Sequence, residues 1–200
     1  MEIGEDALDA IKELINIGVG RAAGMLNEMT GCTIRLRVPT VRIVTIDELA
    51  SVKEIRANDI SSTVSLAFQG PLRGMSALVF PPESAAALVM LLSGEDNESP
   101  ELDALRIETL NEVGNIVLNN VMGSIANILD HHLSYTLPRY QEIEVLTLAR
   151  SVHPPGPDDL VILADTHFSL EDREIDGSIL LILEMGSLES LQEAVTEMTP

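Results

Sequence analysis

Aromatic residues are few in this chain, which has three Phe, two Tyr and no Trp among its 200 residues. Apolar residues nevertheless make up 46% of the sequence. That fraction is enough for a packed interior and argues against a disordered chain. We therefore expect a core built from aliphatic side chains and methionine.

Basic residues are also scarce. Twelve Lys and Arg stand against 32 Asp and Glu, which gives a formal net charge of −20. A field of this sign repels nucleic acid and anionic lipid, so the sequence predicts neither as a partner.

Cysteine and long apolar segments are nearly absent as well. The single cysteine, Cys32, cannot form an intramolecular disulfide, which is typical of a reducing compartment. The first residues have neither the basic region nor the apolar stretch of a signal peptide. The longest apolar segments, around residues 84–93 and 179–183, are too short to span a bilayer. We expect a cytoplasmic protein that does not insert into membranes.

Three residues of the first half recur in the second half at a constant distance of 99 residues. The pairs are Glu13 with Glu112, Asn16 with Asn115, and Pro39 with Pro138. A Glu-x-x-Asn pair is unremarkable once, but two copies in the same register indicate that each half builds the same site.

The hydrophobic pattern repeats with the motif. The first half predicts a helix over residues 6–29, strands over 33–46, 63–69 and 75–80, and a helix over 84–92. After a linker at 93–100, the second half predicts a helix over 101–133, strands over 134–149, 160–169 and 178–184, and a helix over 188–197.

This pattern predicts an α+β fold made of two helix–three-strand–helix units related by a pseudo-two-fold axis. Half-units of this size are marginal alone. We therefore expect residues 1–200 to form one domain with internal repeats of about residues 1–96 and 101–200. Long helices should pack on one face of a mostly antiparallel sheet, and the other face should also be covered or partnered.

Each long predicted helix has an apolar stripe and an opposite polar row, at about 100° per residue. The stripes are Leu8, Ile11, Leu14, Ile15, Gly18, Ala22, Met25, Leu26 and Met29, and then Leu110, Val113, Val117, Val121 and Ile128. The polar rows, which we expect to face solvent, are Asp9, Glu13, Asn16 and Gly20, and then Glu108, Glu112, Asn115 and Asn119. Three glycines of the first helix (Gly18, Gly20 and Gly24) favour close approach of another surface, because helical glycine is costly.

Other candidate sites are weaker. Asp130, His131 and His132 form an acidic and imidazole cluster at a helix end, where a helix cap is a better interpretation than a metal site. Gly18-Val19-Gly20 lies inside a helix and lacks the residues of a phosphate-binding loop. Paired carboxylates also suggest a glycosidase, but exposed helix faces offer no sugar cleft. We predict no metal or cofactor of the protein's own.

The two motifs resemble the CheC family of chemotaxis phosphatases, to which the CheX proteins and the flagellar switch protein FliY are related. The family pattern is Asp or Ser, three residues, Glu, two residues, Asn, twenty-two residues, then Pro. Asp9-Glu13-Asn16-Pro39 fits it fully, and Glu108-Glu112-Asn115-Pro138 differs only in the first residue. The resemblance extends over essentially the whole chain, and the presence of two motifs favours the CheC type.

The resemblance implies a phosphatase that acts on the phospho-aspartyl response regulator CheY, with Mg²⁺ held by that partner. It implies catalytic roles for Glu13, Glu112, Asn16 and Asn115, with the amides orienting the attacking water. We assign Asp9, Gly20, Glu108 and Asn119 to partner binding, and Pro39 and Pro138 to structural roles. The receptor deamidase CheD is a further implied partner. An alternative function is a non-catalytic chemotaxis or flagellar-switch adaptor that binds CheY or CheD through the same helix faces.

Overall fold

The computed structural model describes residues 4–52, 59–93, 100–128, 132–152, 160–170, 173–184 and 186–198. Its helices are α1 (Glu5–Thr30), α2 (Ile46–Leu49), α3 (Pro82–Ser93), α4 (Pro100–Ala126), α5 (Val145–Val152) and α6 (Ser187–Met198). Its strands are β1 (Ile34–Thr45), β2 (Ile60–Gln69), β3 (Gly74–Phe80), β4 (Ser134–Tyr135), β5 (Arg139–Glu144), β6 (Leu160–Leu170) and β7 (Arg173–Leu183). No described helix is both long and apolar enough to cross a membrane.

Helix α1 begins with acidic residues and ends at a glycine. Glu5 and Asp6 lie in the first turn, where a carboxylate interacts favourably with the helix dipole. Gly31 adopts a left-handed conformation (φ 69°) and donates its backbone N–H to the carbonyl of Asn27. Glycine enters this region without a Cβ penalty, so the helix ends where the sequence predicts it.

The strands form one antiparallel sheet in which the two repeats exchange their outer strands. The order is β1-β6-β7-β3-β2, and both β4 and β5 pair with β2 beyond it. By the repeat, β1 corresponds to β4 and β5, β2 to β6, and β3 to β7. Thus β1 of the first repeat lies beside β6 of the second, while β5 lies beside β2. Since neither outer strand pairs within its own repeat, the described strands of both halves depend on each other.

Helices cover both faces of the sheet. On one face, α1, α3, α4 and α6 pack over the larger core, which includes Phe68, Phe80 and Phe168. On the other face, α2 and α5 cover a smaller core made of Ile46, Leu49, Ala77, Val79, Val145, Leu148, Ala149, Val161, Leu163, Leu180 and Ile182. The predicted α+β class and mostly antiparallel sheet are confirmed, and the second face is covered.

The short helices α2 and α5 correct the sequence prediction, which continued the strands to residues 46 and 149. Strand β1 ends at Thr45, whose side chain accepts from the backbone N–H of Glu48 while the Glu48 carboxylate accepts from that of Thr45. The sequence Thr-x-x-Glu is typical of a capping box and could have predicted this helix start. The apolar residues that follow favoured a continued strand instead. In the second repeat, β5 ends at Glu144 and residues 145–149 are helical.

Other boundaries and burial assignments were also wrong: β2 begins at Ile60 and β7 at Arg173 rather than near residues 63 and 178, and the predicted strand over 134–149 is divided into β4 and β5. Helix α4 ends at Ala126 rather than near residue 133. Met25 and Met29, which were placed on the core stripe of α1, are both 49% exposed. The buried residues of α1 are instead Ala7, Ile11, Ile15, Gly18, Val19, Ala22 and Leu26, so the stripe turns away from the methionines near the end of the helix. Asp130 and His131, of the discounted metal cluster, lie outside the described residues.

Candidate functional site

The polar row of α1 lies on the side of the helix away from the core. Asp9, Glu13 and Gly20 are exposed, and Asn16 is partly exposed. The buried contacts of Ile11 and Ile15 fix the rotation of the helix and therefore direct the row outward. Both polar side chains of the first motif are thus accessible from solvent.

The polar row of α4 has the same disposition. Glu108, Glu112 and Asn119 are exposed and Asn115 is partly exposed. Helix α4 is more deeply packed than α1 on its other sides, because Val113, Gly114 and Ile116 to Leu118 are all buried. The second motif is therefore an exposed polar row on a helix whose opposite side is buried.

The two long helices meet at a glycine. A Cβ atom placed on Gly18 would lie 2.5 Å from the Cα of Val121 and 2.8 Å from the carbonyl oxygen of Asn120. By contrast, a Cβ atom on Gly20 or Gly24 would have no neighbour within 4 Å. Close approach within the protein therefore explains Gly18, and leaves Gly20 and Gly24 open on the surface.

A side-chain hydrogen bond distinguishes the two motifs. The Asn119 amide nitrogen donates to the Asn115 side-chain oxygen and, at 2.8 Å, to the Asn115 backbone carbonyl. The residue that corresponds to Asn119 in the first repeat is Gly20, which has no side chain. The carboxamide of Asn115 is therefore held by a neighbour that Asn16 lacks.

Two open grooves flank the second motif. The outer groove is lined by Ala104, Ile107, Glu108, Asn111, Glu112, Asn115, Leu137 and Pro138. The helix groove, between α1 and α4, is lined by Met25, Glu28, Met29, Glu112, Asn115, Ile116, Asn119 and Asn120. Glu112 and Asn115 line both, so they stand on the ridge that separates the grooves.

The two prolines have different surroundings. Pro138 lines the outer groove beside Glu112 and Asn115. Pro39 lies in β1 where the pairing with β6 shifts register between Arg37 and Thr40. A proline cannot donate to a ladder, which suits a site of irregular pairing. Pro39 lines a separate cavity of about 240 Å³ together with His167 and Asp176, and neither Glu13 nor Asn16 lines this cavity.

The described residues of these surfaces form no metal-binding cluster. Within the described part of the chain, no group of three or more His, Cys, Asp or Glu is placed to hold a metal ion. Near the second motif, burial raises the pKa of the Tyr140 phenol, and its hydrogen bond and charge interaction with Glu142 act in the same direction. The arrangement presents carboxylates and carboxamides to solvent in two open grooves.

The exposure of the apolar residues beside the second motif was not predicted from the sequence. Leu137, 89% exposed, projects at the outer groove, whereas its counterpart Val38 is buried at 4% exposure. Ile107 is 43% exposed in the same groove. Hydropathy alone predicts burial for such residues, so the sequence contained no signal that they are exposed.

Comparison with known proteins shows similarity in sequence to CheC-like proteins and in fold to several solved structures. The sequence model of the CheC-like family matches residues 7–43, which include the first motif from Asp9 to Pro39. The chain is 26% identical over 140 residues to the CheY-P phosphatase CheC of Bacillus subtilis, across 68% of this chain and 66% of that protein. The predicted resemblance to the CheC family is confirmed.

Solved structures share the fold. FliY of Thermotoga maritima matches with a TM-score of 0.77 at 21% identity, over 98% of this chain and 99% of that chain. FliM in the FliM–SpeE complex from H. pylori matches with a TM-score of 0.71 at 11% identity, over 98% and 97%. The CheX–CheY–BeF3–Mg²⁺ complex from Borrelia burgdorferi gives a TM-score of 0.54 at 18% identity, over 86% and 99%.

Proposed function

We propose that this protein dephosphorylates the phospho-aspartyl form of a CheY-type response regulator in chemotaxis signalling. The observation that carries the proposal is the pair of outward-facing Glu–Asn rows on α1 and α4, in the same register in each repeat. Similarity to a CheY-P phosphatase supports it, as does a solved complex of a structural relative, CheX, with CheY.

The proposed reaction requires no covalent nucleophile from the phosphatase. An acyl phosphate is already reactive, and the response regulator would supply Mg²⁺ and a lysine around the phosphoryl group. What remains is to hold a water molecule in line with the bond that breaks, since positioning dominates phosphoryl transfer. A carboxamide can donate and accept hydrogen bonds without changing its charge, which suits Asn16 and Asn115 to this task.

The carboxylates would fix the docked partner. Glu13 and Glu112 each lie one helical turn before the amide, so both side chains project toward the same partner. We propose that they pair with the active-site lysine of the regulator, and that Asp9, Gly20, Glu108 and Asn119 contact its surface. No metal or cofactor of the protein's own is required. CheD is a further proposed partner, and the cytoplasm is the proposed location.

Phosphate release from a phosphorylated CheY-type regulator of the same genome, with and without this protein, tests the proposal. The protein should accelerate release at substoichiometric concentration. Replacing both Asn16 and Asn115 with Ala should remove nearly all of the acceleration, by about 100-fold, because the water loses its positioning. A double variant that clears phospho-regulator at the parental rate would contradict the assignment.

A non-catalytic adaptor is the second candidate. It is favoured by the structural matches to FliY and to FliM, one of which is a FliG–FliM complex from H. pylori with a TM-score of 0.69. An adaptor would bind the regulator through the same rows without turnover. Unchanged phosphate release together with saturable binding of the regulator would therefore select the adaptor.

A further inference from the structure

We propose that the apolar residues beside the second motif form a surface that gives this motif a higher affinity for the regulator than the first motif has. This proposal rests on the proposed function. It assigns specificity to the apolar rim, defined as Met25, Met29, Ile107 and Leu137, on either side of Glu112 and Asn115. The two copies of the motif would then differ in affinity for the regulator, in addition to the difference in how Asn115 and Asn16 are held.

The first argument is exposure. The four residues of the apolar rim are between 43% and 89% exposed, and they line the two grooves that meet at Glu112 and Asn115. Isolated exposed apolar residues are ordinary, but a group around one polar ridge is typical of an interaction surface. Methionine adapts its shape to a partner because it is unbranched and polarizable.

The second argument is that the four residues which correspond to the apolar rim beside the first motif are buried or partly buried. Ser124 and Ile128 correspond to Met25 and Met29, and Leu8 corresponds to Ile107. Ser124 is buried, and Ile128 and Leu8 are partly buried. Val38, the counterpart of Leu137, is 4% exposed. The repeat has thus kept the Glu and Asn of both motifs while their apolar surroundings differ.

The third argument concerns charge and identifies the partner. Three carboxylates line the grooves, from Glu28, Glu108 and Glu112, and none of the described lining residues is Lys or Arg. Carboxylates that surround the apolar rim favour a partner surface that combines apolar residues with cations. A regulator that presents a lysine beside its phosphorylated aspartate has this character. A second copy of this chain, with a net charge of −20, would bring like charges together.

The hydrogen bond from the Asn120 amide nitrogen to the Met25 sulfur, at 3.2 Å, adds a geometric element. It orients one methionine that lines the helix groove, between α1 and α4. Part of the surface is therefore ordered before the partner arrives, which lowers the entropy cost of docking.

The test isolates each motif in turn. Asn16→Ala leaves the second motif intact, and Asn115→Ala leaves the first. In the Asn16→Ala protein, adding Leu137→Ser, or Met25→Gln with Met29→Gln, should raise KM for phosphorylated regulator about tenfold and change kcat less than about twofold. In the Asn115→Ala protein the same changes should alter KM less than about twofold.

Matched controls come from exposed apolar residues away from the two grooves. Ile60→Ser and Met90→Gln make the same chemical changes on β2 and α3, and should leave KM unchanged in either background. A KM that rises equally in both backgrounds, or equally with the control changes, would overturn the proposal.

A binding measurement separates this proposal from the proposed function. The regulator loaded with BeF3 and Mg²⁺ is titrated with each variant and its Kd is measured. If the parental protein does not release phosphate, the proposed function fails, yet a tenfold rise of Kd for Leu137→Ser still supports the apolar rim. If release is normal and neither Kd nor KM responds, the apolar rim fails alone. A Leu137→Ser change that dissociates a dimer without changing Kd would assign the surface to self-association and overturn the proposal.

Discussion

The two repeats share a motif but differ in how they hold it. Asn115 is fixed by Asn119 and stands between two grooves, whereas Asn16 has Gly20 in the corresponding position. The helices differ as well, since α4 is buried on more sides than α1. Duplication has therefore preserved the residues assigned to chemistry and allowed the supporting contacts to diverge.

The largest expected effect concerns the contact between the two long helices. Gly18→Ala should destabilise the protein by about 3 kcal/mol, because the added Cβ atom meets the backbone of Val121. Gly20→Ala is the matched control two residues away. It should stabilise the protein by about 0.5–1 kcal/mol, since nothing lies nearby and alanine favours the helix. Urea denaturation measures both, and equal effects would refute the proposed contact.

Gly20→Ala also tests the prediction that this glycine contacts a partner. If a docked regulator approaches the α1 backbone closely, the variant should bind BeF3-loaded regulator more weakly in an Asn115→Ala background, although it is more stable. Unchanged affinity would remove Gly20 from the partner-binding surface.

The next effect concerns the amide that holds Asn115. In an Asn16→Ala background, Asn119→Ala should lower kcat about tenfold with little change in KM, because the carboxamide is no longer held. In an Asn115→Ala background, Gly20→Asn should raise kcat a few fold by giving Asn16 the same neighbour. Steady-state phosphate release measures both variants, and a change in KM alone would indicate that Asn119 only contacts the partner.

The smallest effect compares the ends of β1 and β5. Thr45 and Glu48 form the capping box of α2, while in the second repeat the corresponding residues are Glu144 and Thr147, whose side chains hydrogen-bond at 3.1 Å. The carboxylate and the hydroxyl have thus exchanged places. Thr45→Ala should cost about 1 kcal/mol of stability, measured by urea denaturation, because the helix loses its N-cap.

The same capping box has a pH dependence of known sign. Hydrogen bonds from the Thr45 backbone N–H and hydroxyl lower the pKa of Glu48 below its ordinary value near 4.5. A carboxyl with a lowered folded-state pKa contributes stability above its unfolded pKa and loses it as pH falls through the folded pKa. Thr45→Ala keeps the backbone N–H and removes only the hydroxyl's hydrogen bond to Glu48, so part of its cost should be lost below about pH 4, and a cost that stays constant down to pH 3 would contradict this.

Much of the fold was predictable because it follows from local patterns. The bounds of α1, α3, α6, β3 and β6 lie within about two residues of those predicted. The outward direction of Glu13 and Glu112 followed from helical periodicity, since the opposite stripe had to be buried. Met25 and Met29 were wrongly predicted to be buried because periodicity shows only which face of a helix a residue lies on. Whether that face is buried depends on a neighbouring element that packs against it.

By itself, the sequence determined the duplication, the aliphatic core and the polar faces of the two long helices, because constant spacing and hydrophobic period are properties of the chain alone. Only the tertiary structure decided that β1 pairs with β6 and β5 with β2, since alternating side chains specify a face and not a neighbour. It also decided that Leu137 is exposed and Val38 buried. Both are apolar residues that precede a proline, and their exposure differs because different residues pack around each one.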